Sequence, residues 1–174
     1  MRVASIKPNE LAIVDGEELV LIGEILVQKG FLSQRASMID FIAQYDSVKN
    51  ILRNVVSTAK RVGLDAALLN PPVERPSKIW AAAFNYKRGT SETKDPAARG
   101  ETLKFTSEQA LEMTFLKPSS AVIGPEQTIL IPKGERVVYP ELELCVVIGK
   151  EARNVAKTVA LDYVFAYTLV LDMT

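Results

Sequence analysis

The sequence contains no histidine and a single cysteine, Cys145, in 174 residues. Without histidine there can be no His-containing catalytic triad, no imidazole general base and no His-ligated zinc site. Any chemistry falls to carboxylates, lysines, tyrosines, backbone groups or a metal held by oxygen ligands. One cysteine excludes an internal disulfide framework and fits a reducing compartment. No apolar run approaches the length of a bilayer span, and the opening MRVASIKPNELAIVDGEE lacks the hydrophobic core of a secretory signal. No block of like charge is present either: Lys+Arg and Asp+Glu balance at 21 each, so nothing would draw nucleic acid or an anionic membrane. There is no internal repeat and no low-complexity run. These absences describe a soluble, cytoplasmic protein that binds neither nucleic acid nor membrane.

What is there is an ordinary globular composition, 48% hydrophobic and 24% charged, sufficient for a real core. LAIVDGEELVLI (11–22) is two apolar runs joined through Asp15-Gly16, a strong hairpin signal. DSVKNILRNVVSTAKRVG predicts a helix from Asp46 to Val62, with an apolar stripe of Val48, Ile51, Leu52, Val55, Val56, Ala59 and Val62. Asp46 would cap its start and Gly63 end it. SQRASMIDFIAQY predicts a shorter helix before it. Pro71, Pro72 and Pro76 break the pattern and mark a linker. We therefore expect a small α+β domain over 1–72 and a second domain over 73–174. The second turns to strands: KIWAAAFNY, SAVIG, TILIP, ELELCVVIG and YVFAYTLVLD. Between the first two lies a long polar segment, 87–113, in which SEQALEM can hold one or two helical turns. Such a segment between strands is more often a functional lid or a mobile loop than scaffold.

YPELELCVVIG (139–149) poses the functional question. It reads as a strand ended by Gly149, yet it carries Glu141 and Glu143 at i and i+2, on one face. Two readings compete. In one the acids line the solvated side of a half-buried strand. In the other they share a cation, since two carboxylates at one site are unfavourable unless something positive lies between them. Carboxylate oxygens suit hard ions such as Mg²⁺ or Mn²⁺ rather than zinc. Asp172, ending YTLVLD, would be a third ligand. Cys145 shares the parity of the glutamates but is soft beside hard oxygens, and reads as a small buried side chain.

KIWAAAFNYKRGTSE, FLKPSSAVIGPEQTILIPKG, VVYPELELCVVIGKEARNV and ALDYVFAYTLVLDMT together resemble the fumarylacetoacetate hydrolase family, almost continuously over 78–174. The opening hairpin resembles the small N-terminal domain often found there. The resemblance implies an α+β, mainly β fold: a mixed β-roll catalytic domain, incomplete in this chain, behind a small α+β N-terminal domain. It also implies Mg²⁺ or Mn²⁺ bound by the Glu-x-Glu pair and a later Asp, here Glu141, Glu143 and Asp172. Family members act on 2-oxo acids and 1,3-dicarbonyl compounds by C–C hydrolysis, decarboxylation, isomerisation or hydration. The metal chelates a carboxylate and the adjacent keto oxygen and acts as a Lewis acid where an enolate develops. The family usually forms homodimers.

Two departures qualify these expectations. The family often reads Asn-Tyr-x-x-His-x-x-Glu after the first catalytic strand. Asn85, Tyr86 and Glu92 match, but Gly89 stands at the histidine position. In relatives that histidine works with the glutamate to activate water or move a proton; such assistance is worth roughly 10²–10⁴-fold in rate. Glu92 would then act alone as acid/base in an isomerisation, decarboxylation or dehydration, or the protein is a silent binding or assembly subunit. Lys117 in FLKP matches a lysine placed near the substrate, able to pair with its carboxylate or else an ordinary surface lysine, and Tyr86 would be a donor to an oxyanion or simply a core aromatic. The second departure is that the family chain continues past this aspartate, so we expect a further segment or a second chain to complete the fold.

Overall fold

The two apolar runs around Asp15-Gly16 form the hairpin that organises the N-terminal half. In the computed structural model, which describes residues 1–34, 37–83, 106–134 and 137–174, strand β2 (Glu10–Asp15) turns through Gly16 and Glu17 into β3 (Glu18–Leu21). Gly16 has φ +60°, the conformation that the first position of a two-residue hairpin turn demands. β1 (Arg2–Ile6) pairs with β2, and β4 (Arg61–Gly63) with β3, giving an antiparallel sheet in the order β1-β2-β3-β4.

Helices α1 (Gly23–Gln28), α2 (Met38–Val48) and α3 (Leu52–Thr58) connect β3 to β4. Glu10 starts the first: its carboxylate accepts from the Gly23 amide at 2.6 Å. Ser37 caps the second by accepting from the Asp40 amide. Period-two alternation then sorts the sheet into two faces. Leu11, Ile13, Val20 and Ile22 pack with Leu26, Phe41, Val48, Leu52 and Val55 of the helices. Ile6, Ala12 and Leu19, on the opposite face, are covered by residues that include Val62 and Leu69.

The single helix expected over 46–62 is instead the end of α2, the whole of α3 and the start of β4. Asp46 sits inside the last turn of α2, not at a start, and the chain breaks around Lys49–Ile51 before α3 begins. Ala59 is already extended, and Arg61–Gly63 is a strand. Tertiary contacts outweigh the apolar stripe there: Val62 pairs with Leu19, and the Arg61 guanidinium reaches Asp15 at 2.9 Å and Glu18 at 2.7 Å.

Downstream, β5 (Ile79–Ala82) pairs antiparallel with β6 (Thr114–Lys117), preceded by the short helix α4 (Ser107–Glu112), which Thr106 and Gln109 close with a capping box. The expected strands SAVIG and TILIP are absent from the described residues. Ser119–Ala121 is a 3-10 turn and 128–132 carries no regular structure. β7 (Pro140–Ile148) and β8 (Val164–Met173) form a long antiparallel hairpin with a bulge between Val147 and Ile148. The elements are those of an α+β, mainly β protein. They group into two compact units, one of Met1–Glu74 with Ile123–Thr174, the other of Arg75–Val122.

Candidate functional site

The β7–β8 hairpin holds the acids that the sequence singled out. Its register places Glu141 directly opposite Asp172 and Glu143 opposite Val170. Directly opposed residues of an antiparallel pair project to the same face, with Cβ atoms roughly 5 Å apart, and diagonal neighbours lie roughly 7–8 Å apart. Glu141, Glu143 and Asp172 therefore share one face, Glu141 and Asp172 side by side and Glu143 one ladder step along. Glu143 and Asp172 are half-buried, and Glu141 is exposed. As their side chains stand, no group of three His, Cys, Asp or Glu residues among the described residues is gathered closely enough to hold a metal ion. Three carboxylates on one face are donors of the kind that a hard cation takes. The register puts them on that face, and convergence on one ion would require their side chains to turn toward a common point.

Cys145 continues the same face, opposite Thr168. It is half-buried, and that burial raises the thiol above its ordinary range, which suits a packing residue rather than a thiolate ligand. The other face of the hairpin is apolar and open: Leu142, Leu144, Val146 and Ile148 of β7 and Tyr167, Leu169 and Leu171 of β8 are all exposed, Leu142 and Leu169 by about two thirds (65% and 66%).

Lys117 ends β6, paired with Ile79, and its Nζ lies 5.4 Å from the centre of the Phe115 ring. It belongs to the other compact unit. Tyr86, Gly89 and Glu92 lie outside the described residues. The Glu141–Asp172 pairing has no signal in the sequence, because register across a 31-residue separation is fixed by the intervening chain and not by either motif.

These motifs and this hairpin agree with what the chain resembles. The family model described as fumarylacetoacetate (FAA) hydrolase C-terminal matches residues 78–174, more than half of the chain. The chain belongs to the fumarylacetoacetate hydrolase family. It is 31% identical over 176 residues to maleylpyruvate hydrolase of Aquipseudomonas alcaligenes, a match that takes in 100% of this chain and 61% of that protein. Over 60 residues, 34% of this chain and 27% of the relative, it is 48% identical to the mitochondrial oxaloacetate tautomerase FAHD1 of Bos taurus. Among solved structures it resembles maleylpyruvate hydrolase from Sphingobium sp. SYK-6 in complex with manganese(II) and pyruvate, with a TM-score of 0.76 and 28% identity over 99% of this chain and 58% of that one. The chain thus spans about three fifths of the length of these two hydrolases. Among the described residues no helix is long and apolar enough to cross a membrane.

Proposed function

We propose that the chain carries the metal-holding part of a divalent-metal-dependent enzyme acting on a 2-oxo acid or a 1,3-dicarbonyl compound. The observation that carries this reading is the register that sets Glu141 against Asp172 with Glu143 on the same face. These three would hold Mg²⁺ or Mn²⁺. A bound ion supplies a Lewis acid for the carboxylate and keto oxygens of such a substrate. The relatives, a maleylpyruvate hydrolase and an oxaloacetate tautomerase, and the manganese and pyruvate in the solved neighbour support the substrate class and the metal.

Within that reading Lys117 Nζ pairs with a substrate carboxylate, Tyr86 donates to a developing oxyanion and Glu92 moves the proton. Gly89 cannot assist Glu92 as an imidazole would, which favours enol/keto isomerisation or decarboxylation over hydrolysis that needs an activated water. The experiment is an assay of oxaloacetate and acylpyruvates with the wild type and Gly89→His. A rise in C–C hydrolysis on introducing the imidazole is the expected result; a flat response removes the argument from the missing dyad.

A second reading is a catalytically silent binding or assembly subunit, favoured by side chains that do not converge and by Gly89. Titration with Mn²⁺ separates the two, since a silent subunit has no need of the ion. In either case we propose a domain boundary at 72/73, a homodimer, and cover for the apolar face of β7–β8 by further polypeptide of the kind its longer relatives contain. A folded particle of intact mass 19.1 kDa, free of any other chain, would defeat the last of these.

A further inference from the structure

The acids sit at one end of the β7–β8 ladder, where Glu141 faces Asp172. The other end, where Ile148 faces Val164, meets the N-terminal half. About seven residue steps, roughly 24 Å of strand, separate the two ends. At the far end Phe165 projects into the N-terminal core and packs against Phe41 and Tyr45 of α2. Its ring lies edge-on to both, 6.2 Å from Phe41 with planes at 83° and 5.1 Å from Tyr45 at 86°, while Phe41 and Tyr45 stand 5.8 Å apart at 63°. Three rings in mutual edge-to-face contact form a directional cluster rather than a generic apolar patch.

Gly149 makes the cluster possible. A Cβ there would stand 2.7 Å from the Phe165 Cβ, closer than real contacts allow, while the Gly149 amide donates to the Tyr163 carbonyl at 2.8 Å and closes the hairpin end. One residue on, Lys150 reaches Asp46 of α2 at 3.4 Å. Glycine at 149, an aromatic at 165 and a cation at 150 thus all serve the same contact with one helix.

We propose that α2 clamps the hairpin through Phe165, and that Phe165 is a positioning residue for the carboxylate end. The positioning role rests on the metal reading given above; the clamp does not. In this chain alone the hairpin's apolar face is open, so there its order depends on its fixed end, and a ligand set on a partly disordered hairpin binds only through its ordered fraction.

The test uses the whole chain. Hydrogen exchange is followed at 140–148, 164–173 and, as a folding control, at the amides of β1–β3. Mn²⁺ affinity is read by electron paramagnetic resonance. Phe165→Ala is expected to speed exchange in the hairpin about tenfold and to weaken Mn²⁺ binding by up to about tenfold, with β1–β3 unchanged, and Phe165→Tyr to restore both. Tyr45→Leu, approached from the helix side, gives the same loosening and stands in if Phe165→Ala does not fold. Unchanged hairpin exchange in both variants overturns the clamp. Faster exchange with Mn²⁺ affinity intact, where Glu141→Gln lowers it, overturns the positioning role. If the wild type binds no Mn²⁺, the metal reading falls, and the exchange data alone decide the clamp.

Discussion

The sheet β1–β4 and the hairpin β7–β8 are made from the same residue types and meet water in opposite ways. In the sheet, Leu11, Val20 and Ile22 are fully buried, and the alternate residues on the reverse face are covered as well. In the hairpin, the face carrying Glu143, Cys145 and Asp172 is half-buried while the leucine face is exposed. That inverts what alternation in a half-solvated strand leads one to expect. A contiguous exposed apolar face is a contact surface rather than a normal exterior. Two of the three carboxylates, Glu143 and Asp172, correspondingly have partial shelter from solvent, where a charge needs a counter-charge more than it would outside.

Truncations to alanine break or confirm this contrast most forcefully. Phe41→Ala is expected to cost about 3–5 kcal/mol of stability, since Phe41 is fully buried among core residues. In the chain taken alone, Leu142→Ala and Leu169→Ala should each stay within about 0.5 kcal/mol, because there those side chains face solvent. Chemical denaturation of the three variants checks it. A loss above about 2 kcal/mol at Leu142 or Leu169 would mean that the leucine face is covered in solution, for which a second chain or copy is the candidate.

The acid face offers a test with two signs. Glu141→Gln should lower Mn²⁺ affinity by at least about tenfold, the scale on which even indirect partners of a metal site matter. Without the ion the same substitution should stabilise the hairpin by about 0.2–1 kcal/mol, because it relieves two like charges set directly opposite each other. Melting Glu141→Gln and the wild type with and without Mn²⁺ reads both effects. The metal reading expects the order of stability to reverse between the two conditions; the same order in both is incompatible with a shared ion.

How far the sequence shows these features depends on how local they are. The Asp15-Gly16 turn, the strands β5, β7 and β8 and the parity of Glu141 and Glu143 follow from periods of two and from turn chemistry within a few residues. The stripe through Val62 misleads, since a short strand and a helix end share apolar residues, and only the pairing with Leu19 and the reach of Arg61 to Asp15 and Glu18 decide between them. TILIP looks like a strand but lacks a partner among the described residues, and an unpaired segment gains no ladder. Asp172 opposite Glu141, and Phe165 against Phe41 and Tyr45, are long-range facts that no window along the chain contains. Tyr86 and Glu92 owe their candidacy entirely to the resemblance.

A smaller effect sharpens the comparison at Arg61. Its two ion pairs are exposed, so Arg61→Ala should destabilise only slightly, and the loss should shrink as salt is added. An effect as large as that of Phe41→Ala would show that β4 is held by charge and not by the packing of Val62.

The smallest expected effect concerns the polar bridge between the two regions. Lys49 and then Lys150 hold the Asp46 carboxyl below the usual carboxylate range. A carboxyl depressed in the folded state contributes stability that is present above its unfolded pKa and is lost as pH falls through its lower folded value. Acidification through that window should therefore weaken the Asp46–Lys150 contact while the aromatic cluster, which does not titrate there, persists. The Asp46 carboxyl, followed by NMR, should titrate higher in Lys49→Ala than in the wild type, and less so in Lys150→Ala, in keeping with 2.7 Å against 3.4 Å. Hairpin exchange should respond little to either variant, because an exposed ion pair is screened by water and by salt. If Lys150→Ala instead loosened the hairpin as much as removing the Phe165 ring does, the link between α2 and the hairpin would be electrostatic, and the edge-to-face rings would be its consequence rather than its cause.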